Sequence, residues 1–133
     1  MSCDFGVWFP HKRLSATAAR RRYVSLCEGR AASIEPHPSV RAFYEELIEL
    51  HPEIHDVPED RVGDFDYSPW SCAIDRSEAH VIMSCVWPKA AYVDRLVRDL
   101  AQKHGLAVYD PQSERITYPD AETVAPGAWW KFW

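Results

Sequence analysis

The sequence predicts an α+β fold, a ferredoxin-like βααββαβ order in which a mainly antiparallel sheet carries its helices on one face. Three observations lead to this prediction. Strand patterns and helix patterns follow one another within a single chain of 133 residues, three segments have the periodicity of amphipathic helices, and residues 80–87 form a nearly apolar run that is typical of a central strand. The length predicts one domain, 1–119, followed by an aromatic tail, 120–133.

The first strand and the first helix are predicted from alternation and capping. In the segment 3–10, every second residue is apolar and faces one side: Phe5, Val7 and Phe9. Pro10 ends the strand. Ser15 is a suitable N-cap for a helix that runs to about Glu28, and Gly29 supplies the residue after its end.

The second helix is predicted to begin at Pro38 and to end near Leu50 or His51, before Pro52. Its apolar residues recur at the spacing of one helical face: Val40, Phe43, Tyr44, Leu47 and Ile48.

The second half of the chain predicts a hairpin, a helix and a strand. The hairpin pairs strands at 71–75 and 80–87. Pro88 opens the third helix, which extends to about His104, and residues 106–110 form the last strand.

Between the second helix and the hairpin, residues 53–69 have no helical period and contain six carboxylates, prolines and a glycine. Loops of this length are uncommon in compact domains unless they are functional or mobile. The formal charge is −5 overall, +4 over residues 1–30 and −8 over residues 45–66. This acidic segment disfavours nucleic acid and suits a basic protein partner, although a solvated acidic face is the commoner role of such a run.

Candidate catalytic and metal-binding residues are sparse. His51 and His55 have a spacing that can place two ligands on one metal, with Glu53 and Asp56 as possible oxygen ligands, but Pro52 interrupts the helix that this geometry needs. Two solvated loop histidines are the simpler interpretation. We therefore expect no metal and no cofactor.

A nucleophile with a histidine base is equally poorly supported. His80 and Cys85 differ in parity along one strand and should face opposite sides of the sheet. We therefore expect the protein not to be an enzyme.

The four cysteines form no CxxC pair, and Cys72 and Cys85 lie in apolar stretches, so we expect buried thiols in a reducing cytosol. The first ten residues lack the pattern of a targeting segment, and no run is long enough for a membrane span. These features predict a cytoplasmic protein without a membrane partner.

Aromatic residues at strand boundaries, namely Trp70, Trp87 and Tyr109, are expected to cover the edges of the core. Trp70 follows the acidic loop directly and is the preferred candidate for an anchor on a partner. In the motif YDPQ, Asp110 and Pro111 predict a turn in which the aspartate accepts a backbone hydrogen bond.

The motifs SPW (68–70), VIMSCVWP (81–88) and HGLAVYDPQSERI (104–116) resemble those of a widespread group of small, mostly uncharacterised bacterial proteins. The resemblance covers residues 3–116. Some members resemble immunity proteins, small acidic partners that block a toxin made by the same cell. The group supplies no catalytic residues to carry over, and the tail GAWWKFW (127–133) departs from its pattern.

These observations together predict a non-enzymatic protein-binding module, an immunity protein whose acidic surface occludes the active site of a cognate toxin. The predicted contact residues are Glu53, Asp56, Glu59, Asp60, Asp64, Asp66 and Trp70. The alternative is a small enzyme, or a small-molecule or metal-binding domain, that uses the region of His51, His55 and the acidic loop. A third possible class of protein is a structural or oligomeric module, a homodimer whose subunits exchange the tail. The tail itself is predicted to pack on the domain or on a partner.

Overall fold

The computed structural model describes residues 2–30 and 34–126, which form an α+β fold. The strands are β1 (Ser2–Trp8), β2 (Asp75–Arg76), β3 (His80–Val86), β4 (Ala107–Asp110), β5 (Arg115–Thr117) and β6 (Thr123–Val124). The α-helices are α1 (Ala16–Cys27), α2 (Pro38–Leu50) and α3 (Ala90–Lys103). Short 3-10 turns lie at Ile54–Asp56, Glu59–Arg61 and Trp87–Lys89.

The described strands form one six-stranded sheet in the order β2-β3-β1-β4-β5-β6, and each neighbouring pair is antiparallel. β1 lies in the interior of this sheet, between β3 and β4. Its seven residues pair along their whole length with β3, from Ser2 opposite Val86 to Trp8 opposite His80. The predicted mainly antiparallel sheet is confirmed.

Helices cover both faces of the sheet, so the prediction of helices on one face is wrong. Phe5 and Val7 of β1 pack with α2 and α3 in one core cluster. Trp8, on the opposite face, packs with α1 in a second cluster. The physical reason lies in β1, where Gly6 leaves room for the ring of Tyr23 of α1 and the large ring of Trp8 also requires burial. Each face of β1 therefore needs its own cover.

The ends of the helices agree with the capping signals. The Ser15 hydroxyl accepts a hydrogen bond from the backbone N–H of Ala18 at 3.1 Å, as an N-cap does. Pro38 occupies the first turn of α2. Gly29 and Gly105, which follow α1 and α3, have φ angles of 82° and 71°, a left-handed conformation that favours glycine after a helix.

The strand predicted at 71–75 is displaced. Trp70 forms an isolated bridge to Cys85, and the regular strand starts only at Asp75. Both segments pair with β3, so the prediction that β3 is the hairpin partner is correct. The predicted bounds of the first hairpin strand, 71–75, are wrong. Cys72 between them is exposed, which corrects the expectation of a buried thiol, whereas Cys85 is buried as predicted.

The YDPQ motif forms the predicted turn. The Asp110 carboxylate accepts a hydrogen bond from the backbone N–H of Gln112 at 2.9 Å. The Gln112 side chain then bridges to β1, where its oxygen accepts from the N–H of Asp4 at 2.8 Å and its amide donates to the carbonyl of Asp4 at 2.9 Å. The turn thus ties β4 to the start of β1.

Beyond residue 119 the sheet continues into β6, so the segment predicted as a tail begins with a strand that pairs with β5. The aromatic residues 127–133, and the prediction that they pack on the domain or on a partner, lie outside the described residues. Within the described ranges, none of the helices has the length and apolar character needed to cross a membrane.

Candidate functional site

The acidic loop, residues 53–69, is closed at its base by hydrogen bonds that join its two ends. The ring Nδ1 of His51 donates to the carbonyl of Tyr67 at 3.0 Å, and the Ser68 hydroxyl donates to the carbonyl of Pro52 at 2.8 Å. The indole Nε1 of Trp70 donates to the carbonyl of His51 at 3.0 Å. The two ends of the loop are therefore fixed to each other. A loop backbone that is already ordered in this way loses less conformational entropy if the loop contacts another molecule.

Glu53 belongs to this base and not to the surface, which corrects its prediction as a contact residue. It is 5% exposed. Its Oε1 accepts from the backbone N–H of Ile74 at 2.9 Å, and its Oε2 accepts from the Tyr44 hydroxyl at 2.7 Å. Burial and the hydrogen bond to Glu53 raise the pKa of Tyr44. A buried carboxylate needs such partners, so Glu53 serves the fold.

Trp70 is also internal and does not present an anchor to a partner. It is 1% exposed and packs edge-to-face on His51, with ring centroids 6.5 Å apart. Its place is fixed by the backbone bridge to Cys85 on β3, which turns the indole inward. The SPW motif thus fastens the loop through the Ser68 hydroxyl and the Trp70 indole.

Asp64 organises the inside of the loop. Its carboxylate accepts from the Arg61 guanidinium at 2.9 Å and from the backbone N–H groups of Asp66 and Tyr67 at 3.1 and 3.3 Å. The hydrogen bond from Arg61, followed by those from the two N–H groups, lowers the pKa of Asp64. Asp66 pairs with Lys89 at the start of α3, so the loop is also held to this helix.

Three predicted contact residues, Asp56, Glu59 and Asp60, lie exposed on the outer side of the loop. Asp56 lies 3.5 Å from the ring of His55. Across residues 2–30 and 34–126, neither Glu59 nor Asp60 has a side-chain hydrogen bond or an ion pair. Their charges therefore face solvent, where they act on other charges over a range of about 8–10 Å at physiological salt.

Apolar side chains accompany these charges, a feature that the sequence analysis did not single out. Ile54, Val62 and Phe65 are exposed, Val62 to 75%. With Val57 they line an open, mostly apolar notch of about 280 Å³. Gly63, at a φ angle of 87°, makes the turn that separates Val62 from Phe65. The signal in the sequence was the pair of apolar residues flanking Gly63 and Asp64 within an otherwise polar loop.

Tyr92 of α3 extends the surface beyond the loop. It is half exposed, and its hydroxyl donates to Nε2 of His51 at 2.8 Å. Lys89, the partner of Asp66, lies 6.0 Å from the Tyr92 ring. Since tyrosine is frequent at binding hot spots, Tyr92 and Phe65 are better placed aromatic contacts than Trp70.

The alternative based on His51 and His55 is not supported by the geometry. Both ring nitrogens of His51 are engaged, by Tyr67 and Tyr92, and His55 is exposed beside Asp56. In the part of the chain that the structure describes, no group of three or more His, Cys, Asp or Glu side chains could hold a metal ion.

His80 and Cys85 face opposite sides of β3, as their parity predicts. The Nδ1 of His80 lies 2.7 Å from the Ser77 hydroxyl, whereas Cys85 belongs to the core under α2 and α3. Burial, the largest cause, raises the pKa of Cys85 to about 12. A thiol that stays protonated is a poor nucleophile, so this pair does not form a reactive dyad.

The fold and this surface define an α+β domain that displays a preorganised acidic loop with an apolar notch. Comparisons with protein-family models, with curated proteins and with solved structures give no match for this chain. Function is therefore inferred from the chain's own residues.

Proposed function

We propose that this chain is a non-enzymatic protein-binding module, an immunity protein that acts in the bacterial cytoplasm and neutralises a cognate toxin. The observation that carries the proposal is the acidic loop, which is fastened at its base and displays unpaired carboxylates beside an apolar notch. A surface of this kind suits a basic protein groove, such as the active site of an enzyme that acts on a polyanion.

The mechanism is occlusion. The exposed carboxylates of Asp56, Glu59 and Asp60 steer a basic partner into contact, since charges of this kind mainly raise association rates. Phe65 and Val62 then supply apolar contact area, which slows dissociation. The fixed base of the loop supports this division of roles, because a loop that is already ordered loses little entropy on binding.

The revised contact set omits two predicted members, Glu53 and Trp70, because they are buried. It adds three accessible side chains: Val62, Phe65 and Tyr92. The resemblance at SPW supports the same protein class, and in this chain that motif has a concrete role at the base of the loop.

We infer further that strands β2-β3-β1-β4 correspond to a ferredoxin-like sheet that β5 and β6 extend. The support is the position of β1 between β3 and β4, with a helical connection before β2 and another before β4. In this interpretation α1 occupies the face that a ferredoxin-like sheet leaves open.

The experiment uses the protein encoded beside this chain's gene as the probe. Expressed alone it should arrest growth, and co-expression of this chain should relieve the arrest. The double variant Glu59→Lys/Asp60→Lys should lose protection, whereas Glu35→Lys/Asp99→Lys, a matched reversal of two exposed charges outside the loop, should protect like the parent chain.

Stopped-flow association with the same probe gives the second measurement. The loop double variant should associate about tenfold or more slowly at low salt, with a flatter salt dependence, and the control should not. An adjacent gene product that is not toxic, or equal association rates for the two double variants, would reject the proposal.

A further inference from the structure

A cleft of about 490 Å³ lies on the sheet face that α3 covers, and no residue of the acidic loop lines it. It opens between the first half of α3 and the strands β1, β4, β5 and β6. Its volume falls in the range of about 300–1,000 Å³ that is usual for small-molecule sites. The protein-binding function proposed above makes no use of it.

One part of the cleft is apolar. Cys3 and Phe5 of β1 form its floor, and Ala90 and Ala91 of α3 form its side. Because these helix residues carry only methyl groups, the helix leaves an open space against the sheet. Trp87 lies at the same end, and this residue is 53% exposed. An exposed tryptophan beside an apolar floor offers a stacking surface for a flat ring.

The polar wall is held by Arg98, whose charge is compensated. Its Nε donates to Asp94 at 2.8 Å, and a terminal nitrogen donates to the Thr117 hydroxyl at 2.8 Å. The other terminal nitrogen lies 3.8 Å from Asp110. Asp110 accepts a further hydrogen bond from the Ser113 hydroxyl at 2.9 Å. These groups hold one another in place, with the single guanidinium of Arg98 between the carboxylates of Asp94 and Asp110.

Arg115 is different, because its guanidinium lines the cleft and is exposed. Within residues 2–30 and 34–126 it has neither a hydrogen bond nor an ion pair. The two arginines and two aspartates of the lining balance formally, and both aspartates lie against Arg98, which leaves Arg115 without a carboxylate partner inside the cleft. A guanidinium suits a carboxylate in particular, since it can donate two parallel hydrogen bonds.

We propose that this cleft binds a small aromatic carboxylate. The ring lies against Trp87 and the methyl groups of Ala90 and Ala91, and the carboxylate pairs with Arg115. Such a ligand has an aromatic ring at one end, which matches the exposed Trp87, and a carboxylate at the other, which matches the unpaired Arg115.

The test titrates the full chain with indole-3-acetate and, separately, with indole-3-acetamide, an uncharged analogue of nearly the same shape. Binding is followed by the shifts of backbone amide signals in NMR spectra. The acetate should shift signals of Trp87, Ala91 and Arg115, and the acetamide should bind about tenfold more weakly, because it lacks the charged hydrogen bonds.

Variants separate the two ends of the cleft. Arg115→Gln should abolish the difference between the two ligands, and Ala91→Leu should weaken both by filling the apolar end. Arg95→Gln, a change of an exposed arginine on α3 outside the cleft, should bind both ligands as the parent chain does. Urea unfolding of each variant checks that the fold is retained.

Equal affinity for the two ligands, no saturation up to about 10 mM acetate, or shifts confined to residues 53–69 would overturn the proposal. These outcomes leave the immunity function unaffected, because its test changes Glu59 and Asp60, which lie outside the cleft.

Discussion

The carboxylate of Glu53 accepts a hydrogen bond from the backbone N–H of Ile74 at 2.9 Å, across 21 positions of sequence. This contact joins the first residue of the acidic loop to the segment that leads into β2. The second oxygen of Glu53 is held by Tyr44 of α2, so one buried carboxylate connects a helix, the loop and the sheet. A residue that looks like part of an acidic surface is thus a central polar group of the fold.

Replacing this carboxylate should cost stability rather than binding. Glu53→Ala leaves the N–H of Ile74 and the Tyr44 hydroxyl without their acceptor, and we expect a loss of about 1–3 kcal/mol in the free energy of unfolding. Urea denaturation measures this loss. Glu59→Ala, on the exposed side of the loop, is the control and should stay within about 0.5 kcal/mol of the parent chain. Similar values for the two variants would contradict the buried role.

The position of α1 is tested at Gly6. A Cβ there would lie 2.8 and 3.2 Å from two ring atoms of Tyr23, closer than packing allows without a shift. Gly6→Ala should therefore destabilise by about 1–3 kcal/mol. In the double variant Gly6→Ala/Tyr23→Ala the clash is absent, so the two effects should not add. Additive effects in urea unfolding would mean that α1 does not cover this face of β1.

Substitutions at Trp70 and Phe65 should have opposite effects: the first should lower stability, and the second should weaken binding. Trp70→Phe removes the indole donor to the His51 carbonyl, and we expect a loss of about 1–3 kcal/mol in stability. Phe65→Ala alters an exposed side chain and should change stability by about 0.5 kcal/mol or less. Binding to the partner should weaken for Phe65→Ala at temperatures where both variants are folded. A larger loss of stability for Phe65→Ala than for Trp70→Phe would refute this assignment.

The four cysteines should differ in reactivity. Cys72 is exposed and should react first with iodoacetamide at about pH 8. Cys27 is exposed as well, but partial burial raises the pKa of its thiol, and this should slow its reaction with iodoacetamide. Burial raises the pKa values of Cys3 and Cys85, the latter to about 12, so both should react more slowly than Cys72, and Cys85 should react only when the core opens. Peptide mass spectrometry over time gives the order, and early labelling of Cys85 would contradict it.

The hydrogen bonds of Asp64 inside the acidic loop should be lost only in strong acid. The pKa of Asp64 is lowered below its usual 3.8 by the hydrogen bond from Arg61 and by two backbone N–H groups. Its contribution to stability is therefore complete above about pH 4 and is lost as the pH falls through the lowered pKa. A carbon NMR titration of the Asp64 carboxyl group should show a midpoint below 3.8, and Arg61→Ala should raise it. A midpoint at or above 3.8 in the parent chain would disprove this arrangement.

Several local features were readable from the sequence. The N-cap at Ser15, the proline that opens α2 and the glycines after α1 and α3 mark the helix ends, because capping depends on a few adjacent residues. The apolar run of β3 and the YDPQ turn followed in the same way. The acidic character of residues 53–69 was also evident.

Whether a site residue was placed correctly from the sequence depends on how far along the chain its hydrogen-bond partners lie. Asp56, Glu59 and Asp60 are exposed as expected, since they have no distant partner among the described residues. Glu53 and Trp70 were misplaced because their partners, Ile74 and His51, are 21 and 19 positions away. Only the folded chain shows that such a carboxylate is satisfied inside the protein.

The sequence by itself determined the three helices, the strands β1, β3 and β4 and the acidic loop, since periodicity and caps are properties of neighbouring residues. The tertiary structure alone decided on which face of the sheet each helix packs, where β2 begins, that β6 extends the sheet, and which side chains of the loop reach solvent. These depend on the register between distant strands and on which face of β1 each helix meets. Trp8 illustrates the difference, because its alternation with Val7 is local, whereas its burial requires α1 on the opposite face.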